Sequence, residues 1–302
     1  MKVGLLLGSL DHAASLGELA AFVEELGFDS IWAGDHVSFP APILDPLEVL
    51  ACYAVRTSRV LLGTCVYLLP LRHPTPVAKM TSSLDFLAGG RFVFGVGVGG
   101  EFPAEFAACE VSVRERGARA DEAIDLLRLF WRGEKRRFEG RFFRLETVPL
   151  EPRSPRPAGP PVWVGGRSDA ALRRAARRGD GYVGYLLDPP KFRARMEKIR
   201  EMAGDRPVTG ALLCFSYVDD DRESALAHLG AALGAMYGRP MEEAAARYCV
   251  AGPREAFLAT LEAYRDAGVE HLVLAPMASG ARLREQIEKT AELVRSAQGA
   301  SV

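Results

Sequence analysis

The segment Phe94-Gly95-Val96-Gly97-Val98-Gly99-Gly100-Glu101 decides between two folds. Its glycines at 95, 97 and 100 satisfy the GxGxxG spacing of a dinucleotide-binding turn. Such a turn follows a strand and opens directly into a helix, so that a pyrophosphate meets the helix N-terminus. Here the match starts inside the apolar run Arg91–Gly97, and Pro103 and a loop follow the last glycine. The segment therefore reads as a buried strand opening into a glycine-rich rim, where a flat ring can approach the backbone.

Outward from it, short apolar runs alternate with stretches of helical period, as βα units around a parallel sheet require. Toward the N-terminus the spacing predicts strands at Val3–Leu7, Ser30–Ala33 and Val60–Leu68, with helices at Ser15–Leu26, Pro46–Val55 and Pro74–Leu87. Gly27 supplies a helix C-cap and Pro46 a first-turn proline. Toward the C-terminus it predicts strands at Val162–Val164, Tyr182–Val183, Val208–Tyr217 and Leu272–Ala275. The matching helices are Glu115–Phe130, Ser168–Arg178, Pro190–Met202, Glu223–Tyr237, Arg254–Ala267 and Ala281–Ser296. The rhythm breaks once. Lys135–Thr147, with Phe138, Gly140, Phe142, Phe143 and Leu145, has the pattern of a β-hairpin, and a proline-rich run over Glu151–Pro161 ends the excursion. Eight strands in 302 residues fit one α/β domain, a (β/α)8 TIM barrel over residues 1–302 with a small β-hairpin insertion after the fourth helix. A doubly wound open sheet has the same element order, because strand closure is not written in the sequence.

Charge excludes several function classes. Lys plus Arg (38) nearly cancels Asp plus Glu (39), so no global basic field exists to hold nucleic acid or a membrane surface. Arg173, Arg174, Arg177 and Arg178 cluster at helical spacing and read as a solvated face. The five cysteines are dispersed with no CxxC pair, and the five histidines show no metal-ligand spacing, so no metal is expected. Dispersed thiols fit a reducing cytoplasm. The first apolar run stops before Ser9 and Asp11, too short for a signal-peptide core, and no run reaches the roughly 18 apolar residues of a membrane span. A soluble, cytoplasmic protein is the expectation.

In a barrel the chemistry lies at the C-terminal strand ends, which nominates residues strand by strand. After the second strand, Asp35-His36 pairs a carboxylate with the side chain best suited to proton transfer near neutral pH. In the third, Gly63, Thr64 and Cys65 are small residues that either leave room for a flat ligand or serve a tight barrel layer. After the fourth come Gly97, Gly99 and Glu101. After the fifth, Gly165-Gly166-Arg167-Ser168 runs straight into a helix, exposing N–H groups and a positive helix end to a phosphate.

Taken in order, these motifs resemble the luciferase-like monooxygenase superfamily, and within it the coenzyme F420-dependent oxidoreductase branch. The resemblance is carried by Leu26 through His36, by Leu69-Pro70-Leu71-Arg72-His73-Pro74, and by Leu84 through Arg91. It continues through Gly95-Val96-Gly97 with Glu105-Phe106, Pro160 through Gly166, Gly179-Asp180-Gly181, and Ala267 through Leu274. It implies a TIM barrel with His36 as the acid/base facing substrate beside the ring, and Asp35 tuning it. It further implies a strand-three bulge with a non-proline cis peptide at Cys65-Val66 behind the ring, and Gly165-Gly166 at the cofactor phosphate. An acidic residue near the ring maps to Glu101 or Glu105. The implied activity is hydride exchange between deazaflavin C5 and a small organic substrate, in a homodimer. One departure is informative: sugar-phosphate dehydrogenases of this branch carry a Thr and a Lys after strand six, where this chain has Gly184-Tyr185-Leu186-Leu187-Asp188. A non-phosphorylated, apolar or neutral substrate is therefore expected. Two other functions share the same slot: an FMN-dependent monooxygenase fed by a partner reductase, and a flavin-binding barrel without turnover.

Overall fold

The structure is a computed structural model that describes residues 1–8 and 13–299; Ser9 and Asp11, where the first apolar run was read to stop, lie outside them. Eight strands form the frame: β1 (Lys2–Leu6), β2 (Ser30–Ala33), β3 (Leu61–Thr64), β4 (Phe92–Gly97), β5 (Val162–Gly165), β6 (Gly181–Tyr185), β7 (Thr209–Val218) and β8 (His271–Pro276). Each pairs in parallel with the next, and β8 pairs with β1 from Lys2–His271 to Leu5–Leu274. That last ladder closes the ring and removes the open-sheet alternative.

The barrel interior explains its glycines. The Trp32 and Trp163 rings lie 5.2 Å apart between centroids, and His271 stands edge-on to both. Trp32 Nε1 donates to Ser30 Oγ at 2.7 Å, and Ser30 Oγ lies 2.6 Å from His271 Nε2. Two indoles fit across one barrel only where facing positions lack side chains. A Cβ at Gly63 would lie 2.2 Å from Trp32, and one at Gly181 would lie 2.5 Å from Trp163. The room beside Gly63 thus holds Trp32 rather than a ligand. Thr64 is fully buried and donates its hydroxyl to the Gly95 carbonyl at 2.7 Å, so its side chain is withdrawn from the rim. Burial pushes the His271 imidazole down to about 4 and keeps it neutral.

Outside the barrel, the arginine cluster is only half solvated. Arg174 is buried and pairs with Asp121, and Arg178 pairs with Asp125, while Arg173 and Arg177 face solvent. The four-residue step on both helices, Arg116–Trp131 and Asp169–Arg178, turns two pairs into a ladder. The hairpin is present as Arg137–Glu139 against Arg144–Glu146. The Glu122 carboxylate anchors its turn by accepting the Arg141 and Phe142 N–H groups at 2.8 and 2.9 Å. Four elements among the described residues escape the sequence reading: a 3-10 turn at Leu69–Leu71, helices Pro103–Ala108 and Glu242–Tyr248, and a strand at Val250–Gly252 paired with the end of β7. Each is too short to show a period.

Candidate active site

The mouth is built on an interruption of β3. After Thr64 the ladder stops at Cys65-Val66, whose peptide bond is cis, and resumes at Tyr67-Leu68 against β4. The expected bulge is therefore at the expected residues. It turns Val66 toward the positions that a Cβ of Gly97 or Gly165 would occupy, at 2.4 and 2.8 Å from Val66 methyls. Those two glycines are thus spacers for Val66. Val66, Leu6 and Leu213 are partly exposed and pack on the tryptophan layer, forming an apolar floor. Cys65 faces down into that layer, and burial pushes its thiol up to about 12.

At the end of β2, His36 stands at this mouth. Its ring stacks on Phe39 at 4.3 Å between centroids and meets Phe102 edge-on at 5.2 Å. Its Nδ1 lies 3.3 Å from both carboxylate oxygens of Glu105, which is fully buried. Glu105 also accepts the Val37 N–H at 3.1 Å. A carboxylate at Nδ1 selects the Nδ1–H tautomer and leaves Nε2 as the free basic atom. Nε2 has no partner among the described residues.

Glu105 owes its place to the short helix Pro103–Ala108. Gly99 and Gly100, at φ of 58° and 108°, turn the chain out of β4 through a left-handed path that L side chains rarely adopt. Pro103 then starts the helix, and Phe106 anchors it against Leu68, Leu71 and Val111. The acidic partner of His36 is therefore Glu105. Glu101 is half exposed at the rim and pairs with Arg167 at 3.3 Å.

Asp35 has a different role from the one its neighbour suggests. Its Oδ1 accepts from Arg72 Nη2 at 2.8 Å, and its Oδ2 accepts from Arg72 Nη1 and from the Leu68 N–H at 2.7 Å. The two neighbours engage different groups: Asp35 the Leu68 N–H just past the bulge and Arg72, His36 the Glu105, Phe39 and Phe102 side chains. Among the described residues the hydrogen-bond partners of the Asp35 carboxylate are Arg72 and the Leu68 N–H, not the imidazole.

At the end of β5 the chain makes the turn expected of an anion cradle. Gly166 has φ of 136°, and a Cβ there would lie 2.8 Å from that of Ala171. Ser168 caps the helix Asp169–Arg178 through the Ala171 N–H, leaving the Asp169 and Ala170 N–H groups without intrahelical acceptors. The loop is held from beneath, where Tyr182 donates to the Gly166 carbonyl at 2.8 Å and Arg195 to that of Arg167 at 2.5 Å. Gly165 is buried under Val66, so the accessible donors begin at Gly166.

The far wall is apolar and aromatic. Tyr185 meets Tyr237 hydroxyl to hydroxyl, and the two join a cluster with Leu186, Leu213, Met236 and Met277. Burial, with the facing phenol, pushes the Tyr185 hydroxyl far above its ordinary value. Leu187 points into the core and is withdrawn from this wall.

The family description of luciferase-like monooxygenases matches residues 2–296. The chain belongs to that family. Among its luciferase-like relatives, an F420-dependent glucose-6-phosphate dehydrogenase of Nakamurella multipartita is 32% identical over 86% of either chain. An F420-dependent hydroxymycolic acid dehydrogenase of Mycobacterium tuberculosis is 34% identical over 69% of this chain and 60% of its own. The solved structure of an F420-dependent secondary alcohol dehydrogenase in complex with an F420-acetone adduct superposes with a TM-score of 0.85 at 21% identity over 98% of each chain, a likeness of fold. Within this luciferase-like barrel, sequence reasoning missed Phe39, Phe102 and Tyr237 as parts of the mouth. They come from loops and a helix end, where no periodicity marks a residue.

Proposed function

We propose that the chain is an oxidoreductase that uses coenzyme F420 and exchanges hydride between deazaflavin C5 and a small, neutral organic substrate. The observation that carries this reading is the pairing of His36 Nδ1 with buried Glu105 at the mouth, with Nε2 left open. That relatives of this chain are F420-dependent dehydrogenases supports an F420-dependent redox reaction.

The residues present suit a flat ring with a phosphate tail. The half-buried Val66 offers an apolar wall for one face, and Gly97, without a side chain, adds none of its own. The Gly166–Ser168 turn and the helix N-terminus behind it offer N–H donors to a phosphate, with Arg167 at the rim. Bound there, a deazaflavin would supply a two-electron hydride carrier. His36 takes, at Nε2, the proton leaving a substrate hydroxyl as hydride departs from the adjoining carbon, and returns it in the reverse direction. Glu105 stabilises the imidazolium formed in that step and fixes the ring plane, while Phe39 and Phe102 exclude water from it.

The wall of Tyr185, Leu186, Met236, Tyr237 and Met277 supports a non-phosphorylated substrate, because it is apolar and aromatic and the cation stacked on it, Arg167 over the Tyr185 ring at 5.5 Å, is engaged by Glu101. A homodimer and a cytoplasmic location belong to the same reading, and sedimentation velocity tests the former. Titration with F420 and with FMN, followed by fluorescence, tests the cofactor: F420 is expected to bind and FMN not. Binding of FMN alone would favour the monooxygenase with a partner reductase. Turnover unchanged in His36→Ala would remove the proton-transfer role.

A further inference from the structure

The Arg72 side chain joins several elements around the mouth, and the chemistry described above does not use it. Its guanidinium makes a two-pronged pair with Asp35, in which Nη2 to Oδ1 is 2.8 Å. The same Nη2 reaches Asp45 Oδ2 at 3.2 Å, and Asp45 caps the helix Pro46–Ala54 by accepting the Leu47 N–H at 2.9 Å. Its plane lies over the Tyr67 ring, 4.2 Å from the centroid. Asp35 in turn holds the Leu68 N–H, two residues after Val66, and immediately precedes His36. One planar fork thus joins the end of β2, the bulge of β3 and the loop that runs between His36 and the next helix. A lysine cannot reproduce two parallel donors with a third contact on the same group.

We infer that Arg72 is a positioning residue that fixes His36 and the Val66 wall at a set separation by clamping Asp35 against Leu68. The inference rests on the reading of the mouth as an F420 site, and it names the part that sets the geometry between proton carrier and ring. Asp35 is fully buried at its carboxylate, and burial raises its affinity for a proton against the pull of Arg72 and the Leu68 N–H. Without Arg72 the carboxylate is left uncompensated or protonated, and the clamp opens either way.

Three variants separate positioning from plain stability: Arg72→Lys, Arg72→Met, and the double variant Asp35→Asn with Arg72→Met. The last removes both buried charges, so it should regain most of the stability lost in Arg72→Met. F420 affinity is expected to fall at least tenfold in Arg72→Met and to stay down in the double variant, with Arg72→Lys intermediate. Recovery of affinity together with stability in the double variant would overturn the inference, as would wild-type affinity in Arg72→Lys. Ring signals of His36 in 15N-histidine NMR spectra of the cofactor-free protein give a second readout. They should shift or broaden in the double variant, and unchanged signals also overturn the positioning role. A wild-type protein that does not take F420, with His36 signals displaced in the double variant, would fail the cofactor reading alone.

Discussion

Acidification is expected to cost this barrel stability through one imidazole. His271 is 2% exposed, packed between Trp32 and Trp163, and burial with a smaller push from Lys2 holds it at about 4 in the folded state. In the unfolded chain a histidine titrates near 6.5. Its contribution is therefore complete above about pH 6.5 and drains away as pH falls toward 4, because only the unfolded chain binds the proton in that window. At about 1.4 kcal/mol per unit, the full loss is about 3 kcal/mol, a visible part of a typical 5–15 kcal/mol. His271→Gln keeps a polar group for Ser30 Oγ and cannot titrate. Urea unfolding of both proteins, followed by tryptophan fluorescence from about pH 7.5 to 4.5, isolates the term, since all other groups titrate in both. The stability advantage of the wild type should shrink by about 2–3 kcal/mol across that range. Two curves that fall in parallel would refute a neutral, buried His271.

Gly97→Ala places a Cβ 2.4 Å from a Val66 methyl, so the wall must move; F420 affinity by fluorescence titration should drop at least tenfold with a loss of stability of about 1–3 kcal/mol. Glu105→Gln keeps the shape but loses the charge-assisted bond to His36 Nδ1, worth about 1.5–3 kcal/mol, so kcat should fall about 10- to 100-fold while the F420 Kd stays near wild type. Ser168→Ala removes the cap that the Ala171 N–H uses, costing about 1 kcal/mol in thermal unfolding and loosening the turn, so F420 should bind more weakly.

Much of the site's chemistry was legible because it is local. The turn at Gly165 to Ser168 falls within a few residues of chain, and a Gly-Gly-x-Ser stretch marks it; the bulge at Cys65-Val66 is equally local, but it was the family resemblance that pointed to it. Asp35 and His36 misled as a pair for the same reason. Adjacency in sequence suggested contact, whereas the fold sends one to Arg72 and the other to Glu105.

The sequence by itself determined the succession of strands and helices, the hairpin between them, and the strand ends where chemistry gathers, because hydrophobic period and turn residues act over single elements. Closure of β8 on β1, the seating of Trp32 beside Gly63, and the choice of Glu105 over Glu101 as partner of His36 were decided only by tertiary structure. Each is a contact between residues distant along the chain, 69 positions apart for His36 and Glu105. Whether such residues meet depends on how the whole ring curves and packs, which no local window of residues encodes.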